Sequence, residues 1–218
     1  RVVVISAAGK RTSDDHKLTD LLYLCHAHLT YGVSCADILA AIRSRFVSIR
    51  DELDLSYRVE DEFDAYAATL SRDTSVDELV SRGEYFTARL MAETLGYAFV
   101  DAADCVFFGL AGQFDRARPH PALAAALDTR GGSDITGALA AAAVNADVYE
   151  NWTDVSGILM ADPRIVENPR PIPRITYAEL REMAFMGASV LHEESILPVK
   201  EKGISLNIRN TNRPDEPG

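Results

Sequence analysis

Positive charge is scarce in this chain: 22 Lys and Arg stand against 33 Asp and Glu, a formal net charge of −11 at pH 7. A surface of that sign repels nucleic-acid backbones and anionic membranes, so neither is expected as a partner, and an anionic ligand needs a local cluster of donors. Cysteine is sparser still. Cys25, Cys35 and Cys105 are widely spaced among apolar neighbours and form no CxxC pair, which removes the usual support for a bound metal or a redox dithiol. They read as buried small hydrophobes of a reducing cytosol. Histidine offers no metal set either: His26 and His28 lie two apart on a helix and face different ways, while His16, His120 and His192 are isolated. No protein metal site is assigned. Long apolar runs are missing: Gly137 to Val144 falls well short of a bilayer span, and Val2 to Ile5 is too short for the core of a signal peptide. The expected location is cytoplasmic. Neither a G-x-x-x-x-G-K-[ST] loop nor a G-x-G-x-x-G after a strand occurs, so P-loop and dinucleotide folds lose their main warrants.

What is present is alternation. The length, 218 residues, suits one substantial core or two lobes sharing a sheet. Residues 1–6 form a β-branched apolar run that stops at Ser6-Ala-Ala-Gly9, the pattern of a buried parallel strand feeding a loop. A strand at residue 1 suggests that further chain precedes it. Apolar spacings of three and four predict helices over 18–29, 37–49, 59–70 and 75–95, the last stopped by Gly96; the stretch 17–70 reads as a helix-rich excursion beside the main sheet. Tyr97 to Val100 reads as a short strand, Cys105 to Phe108 as a second apolar segment, Gly109 to Pro121 as a loop and Ala122 to Leu127 as a helix start. A helix is predicted from Ser133 or Asp134 to about Asn145, whose small residues let another element pack closely. Asp147 to Glu150 reads as a strand, and the Pro-rich piece 161–173 as an ordered loop. Helices over 176–186, with a Thr176/Glu179 capping box, and 194–202 precede a closing strand over 204–208. Strands alternating with helices imply an α/β fold with a mostly parallel sheet. In such folds ligands gather outside the carboxyl ends of the strands. Ser6–Gly9, Arg130–Asp134 and the loop after Tyr149 are expected to converge there.

Three stretches carry residue types suited to chemistry. In Arg130-Gly131-Gly132-Ser133-Asp134, two glycines expose backbone N–H groups before a helix N-terminus, Arg130 offers a rigid fork for a carboxylate, and Asp134 offers a charge for an ammonium. Together they can grip the two ends of an α-amino acid; an ordinary capped loop explains the same residues. In Ser81-Arg82-Gly83-Glu84, a glycine inside a helix costs about 1 kcal/mol against alanine and calls for a close neighbour or ligand. Glu84 there faces a ligand ammonium, accepts from loop amides, or is simply solvated. In Thr153-Asp154-Val155-Ser156-Gly157 and Ala161-Asp162-Pro163-Arg164, hydroxyl, carboxylate and guanidinium groups surround a turn. Thr153 and Asp154 suit a base or ribose and Arg164 suits phosphates; a purely structural turn is the alternative.

Taken with Val3-Val4-Ile5-Ser6-Ala7-Ala8-Gly9-Lys10 and Met186-Gly187-Ala188-Ser189-Val190-Leu191-His192, these stretches, in this order over nearly the whole chain, resemble aspartate kinases of the amino-acid-kinase family. The resemblance implies a three-layer α/β/α sandwich, the carbamate-kinase-like fold, over 1–212. Residues 213–218 would then begin a linker to small regulatory domains that bind end products such as lysine or threonine. It implies transfer of the γ-phosphoryl group of ATP, with Mg²⁺, to the side-chain carboxylate of L-aspartate, a step toward lysine, threonine and methionine, in a homodimer or higher homo-oligomer. By the same resemblance Arg130 binds the α-carboxylate, Glu84 and Asp134 hold the ammonium side, and Ser133 fixes the amino-acid site. Ser6 sits by the catalytic loops, and Thr153, Asp154 and Arg164 meet the nucleotide. Asp134 acts as an electrostatic anchor, since a carboxylate nucleophile with a pKa of about 3.9 needs no general base.

The chain departs from the family pattern in places. The Lys-Phe-Gly-Gly strand that opens the family's domain does not precede Arg1, and Leu127-Asp128-Thr129 runs straight into Arg130 where relatives carry a glycine-containing loop, as if a segment near Asp128 were missing. Many members have tyrosine and lysine where this chain has Leu159 and Ser189. Two other functions stay open at this level: a kinase for another amino acid such as glutamate, one methylene longer, and a catalytically silent nucleotide- or amino-acid-sensing domain.

Overall fold

The computed structural model describes residues 1–101, 103, 133–162, 165–185, 191 and 193–218, with backbone only for 133–135, 184–185 and 193–195. The chain divides into two compact units, one of Val4–Asp101 and one of Arg1–Val3 with 102–218.

The first unit is helical. Helix α1 (Leu18–Tyr31) buries Leu18, Leu22 and Cys25, α2 (Ala36–Glu52) buries Ile42, Arg45 and Phe46, and α3 (Val59–Ala67) buries Val59 and Phe63. Helix α4 (Val76–Leu95) buries Leu79, Gly83, Phe86 and Leu90. These three- and four-residue steps are the ones read from the sequence, and they bring one stripe of each helix onto a common core. The ends of α4 are chemically defined. Ser75 Oγ accepts the Glu78 N–H at 3.1 Å, and Gly96, at φ 66°, lets Tyr97 N–H return to the Ala92 carbonyl. Glu62 of α3 accepts from the Tyr57 and Tyr85 hydroxyls and pairs with Arg89, tying α3 to α4.

Two predicted strands in this part of the chain do not form. Residues 1–6 make no ladder, and Val2 and Val3 are about half exposed, because no described strand pairs with them. Tyr97–Val100 is likewise not a strand: the turn at Gly96 sets Phe99 edge-on to the Tyr85 ring and under the Arg89 guanidinium. The third helix also stops at Ala67, short of the predicted residue 70.

The second unit mixes helix and sheet. Helix α5 (Ser133–Ala143) leads to β1 (Val148–Thr153), which pairs in parallel with β4 (Ser205–Asn210), in register from Val148 opposite Ser205 to Thr153 opposite Asn210. Between them lie β2 (Ile158–Leu159) and β3 (Pro171–Ile172), an antiparallel pair, then α6 (Tyr177–Phe185) and α7 (Glu193–Glu201). The Pro-rich loop therefore contains a two-residue strand; proline is tolerated at its first position, where its missing N–H is not needed. Thr176 and Glu179 exchange hydrogen bonds at 2.8 and 3.2 Å, the reciprocal box expected at the start of α6. One core cluster joins Ala138 and Ala141 to Val199 and Ile204; another joins Ile158, Leu180, Ile196 and Ile208. The small residues of α5 admit the Tyr149 ring so closely that a Cβ on Gly137 would lie 2.4 Å from its hydroxyl.

Candidate active site

In the helical unit the Ser6–Gly9 loop packs on one face of α4. Gly83 is buried, and a Cβ there would stand 3.0 Å from the Ala7 Cβ and 3.1 Å from Leu22 Cδ1. Close approach of the loop is the reason the helix carries glycine at that position. One turn on, Thr87 Oγ1 donates to the Gly83 carbonyl at 2.7 Å and accepts the Ala8 N–H at 3.1 Å, locking loop to helix. Beside this contact sits the half-buried Glu84. Burial pushes its carboxyl above the usual carboxylate range, against the pull of the backbone N–H groups of Glu84 and Ala7. Its carboxyl lies within reach of the Ala7 N–H of the loop. Ser6 is exposed at the start of the same loop.

The loop's far side is held by a residue that sequence reasoning missed. Arg45 is 3% exposed, pairs with Asp15 at 2.6 Å and donates to the carbonyls of His16 at 2.8 Å and Gly9 at 3.5 Å. Hydrogen bonds from the Arg11 side chain and backbone, with Arg45 nearby, pull the Asp15 carboxyl down to about 2. A buried guanidinium is tolerated only when paired and hydrogen-bonded, and here that requirement fixes the path of residues 9–16. An arginine on the apolar stripe of α2, between Ile42 and Phe46, was the available signal.

In the second unit the Thr153–Gly157 turn lies at the carboxyl end of β1. Thr153 Oγ1 donates to Asp154 Oδ1 at 3.2 Å, and Asp154 is exposed. The turn closes at Gly157, whose φ of 84° suits glycine. At the edge of β1, Trp152 lies under the Arg209 guanidinium, 4.5 Å from ring centroid to cation. The backbone of Ser133–Asp134 opens α5, as predicted, presenting a helix N-terminus suited to anionic groups. Leu159 lies in β2 opposite Pro171. Arg130, Arg164 and Ser189, with the side chains of Ser133 and Asp134, lie outside the described residues, as do the segments predicted over 105–127. Among the described residues no group of three or more His, Cys, Asp or Glu is arranged to hold a metal ion, and no helix is long and apolar enough to cross a membrane.

Comparison with known proteins places this geometry in a family. The amino acid kinase family profile matches residues 1–210. Aspartokinase 3 of Bacillus subtilis is 31% identical over 257 aligned positions, taking in 100% of this chain and 56% of the relative. That span exceeds the 218 residues of the chain, so the relative has positions without a counterpart here. Among solved structures, the aspartate kinase of Clostridium acetobutylicum superposes with a TM-score of 0.84 at 42% identity, covering 98% of this chain and 54% of that one. E. coli aspartokinase III in complex with aspartate and ADP gives 0.70 at 29% identity, covering 98% and 56%. The chain thus spans a little over half the length of these relatives and shares their α/β fold over nearly all of its own. With a family match running from residue 1 to residue 210, the chain belongs to the amino acid kinase family.

Proposed function

We propose that this chain is the catalytic domain of an ATP-dependent aspartate kinase, moving the γ-phosphoryl group of Mg-ATP onto the side-chain carboxylate of L-aspartate to give 4-phospho-L-aspartate and ADP. The observation that carries this is similarity along 98% of the chain to an aspartokinase whose crystal structure holds aspartate and ADP. An aspartate side chain, with a pKa of about 3.9, is already the nucleophile at neutral pH. One carboxylate oxygen forms the new bond to the γ-phosphorus while the bond to the β-bridging oxygen breaks, its electron pair leaving with ADP. The protein's task is to bring two anions together and to neutralise charge on the transferring group.

The role of each side chain follows from its chemistry. Glu84 takes the ammonium side of the amino acid; a carboxylate already lifted by burial gains most when a cation arrives. Ser6 presents its hydroxyl from the loop packed on Gly83. Arg130 takes the α-carboxylate, Ser133 fixes the amino-acid site and Asp134 is an anchor for the ammonium, roles carried by the family resemblance. Thr153 and Asp154 meet the adenosine, and Arg164 the phosphates. Mg²⁺ enters with the nucleotide as part of the substrate. A homodimer or higher homo-oligomer in the cytoplasm completes the proposal.

A coupled ADP-release assay on the full-length protein with Mg-ATP and aspartate, glutamate or homoserine tests it. Turnover with aspartate is expected; turnover with glutamate alone overturns the substrate assignment, and nucleotide binding without turnover points to a sensing domain.

A further inference from the structure

The segment after β4 folds back onto the Thr153–Gly157 turn. Thr211 donates its backbone N–H to the Thr153 carbonyl at 2.8 Å and its hydroxyl to the same oxygen at 3.0 Å. Asn210 is buried, and its Nδ2 donates to the Asp154 carbonyl and to Ser156 Oγ, each at 3.1 Å. The Ser156 hydroxyl in turn donates to Glu216. Arg209 donates to the carbonyls of Pro214 at 2.7 Å and Glu216 at 3.1 Å while it covers Trp152, and Asn207 holds the Pro217 carbonyl at 3.0 Å. Gly218 ends beside Gly157, where a Cβ would come within 3.4 Å of its carbonyl carbon.

These bonds reach the turn only through backbone carbonyls and Ser156. The Thr153 hydroxyl and the Asp154 carboxylate bond to each other and take no part in these bonds, and Asp154 is exposed. A scaffold that fixes backbone and spares the side chains is what a preorganised binding turn requires. We propose that residues 210–218 are a strap that sets the Thr153–Gly157 turn for nucleotide binding, with Asn210 and Glu216 as positioning residues. The proposal rests on the assignment of this turn to the nucleotide. It adds that displacement of the strap lowers nucleotide affinity, because only the strapped turn presents Thr153 and Asp154 correctly.

Trp152, the one tryptophan of these 218 residues, adjoins Thr153 and touches the strap through Arg209, so its fluorescence reports on the turn once any tryptophan outside them is replaced by phenylalanine. Full-length wild type, Glu216→Ala and Glu216→Gln are titrated with ADP by fluorescence and calorimetry, and KM is measured for both substrates. Loss of one hydrogen bond to a charged group predicts about tenfold weaker ADP binding and a similar rise in KM for ATP in Glu216→Ala. KM for aspartate stays unchanged, and Glu216→Gln, whose amide oxygen still accepts the Ser156 hydroxyl, recovers most of the affinity. Ser156→Ala removes the same bond from the other side and carries the same expectation if Glu216→Ala does not fold. Equal ADP affinity in all variants, or parallel increases in both KM values, overturns the strap. Failure of wild type to bind any nucleotide defeats the assignment of the turn and the strap with it.

Discussion

In the helical unit Phe46, Phe63 and Phe86 meet with ring centroids 5.2 to 6.1 Å apart within one contiguous core, whereas the described residues of the second unit form two smaller clusters. The candidate residues of the two units differ in the same sense. The Ser6–Gly9 loop is seated by the close packing of Ala7 on Gly83, with Thr87 and Arg45 bonding its backbone; the Thr153–Gly157 turn, with Val155 packed on one of those clusters, is held by hydrogen bonds from Asn210 and Thr211 and by the bond Ser156 donates to Glu216. The first should answer to changes of volume and the second to changes of donors and acceptors.

The largest test of that contrast is Phe86→Ala. Truncating an aromatic at the centre of a core costs about 3–5 kcal/mol. Amide hydrogen exchange should then show protection falling in α1 to α4, with α5 and α6 much less affected; an equal fall in both units would erase the distinction. Next is Gly83→Val, which forces the Ala7 backbone away. A misplacement of this kind in a reacting group's support costs up to about 100-fold in activity. The effect is expected on aspartate KM and kcat, with ADP affinity at the other turn unmoved, as calorimetry would report.

Glu84→Gln should act more mildly and in two directions. Because burial raises the Glu84 pKa in the folded state, its stability contribution is full while the group is protonated and is lost as pH rises through the folded value. The neutral isostere is therefore expected to raise Tm slightly at pH 8 while weakening aspartate about tenfold, the worth of one charged hydrogen bond. A lower Tm with unchanged aspartate KM would mean that the carboxylate serves the loop amides alone. The smallest effect belongs to Asp15. Its folded value of about 2 lies below the ordinary 3.8, so its contribution is present above about pH 4 and disappears as pH falls toward 2. Urea midpoints of wild type and Asp15→Asn should converge over that window and differ above it.

Periodicity made the helices legible. The steps Leu79, Gly83, Phe86, Leu90 and the Thr176/Glu179 pair are local signals that the packed chain obeys. The strands predicted at residues 1–6 and 97–100 show where such signals end: apolar, β-branched runs permit a strand, but a ladder partner decides it. Gly83 was legible as an anomaly, and its cause, Ala7, lies 76 positions away. Glu84 was readable as a candidate for the same reason. Asn210, Ser156 and Glu216 were not, since three common polar residues at the end of a strand, in a turn and in the segment after that strand acquire meaning only when the chain brings them together.

The contact between Tyr149 and the bare backbone at Gly137 acts like a tooth in a notch. A helix with a side chain at that point would ride higher on β1 and could slide along it; here the ring enters the helix surface and fixes one register. Any drift of α5 along its axis would have to lift Tyr149 out first. The first turn of that helix, with Ser133 and Asp134, is therefore indexed to β1 by a residue that need not touch a ligand at all.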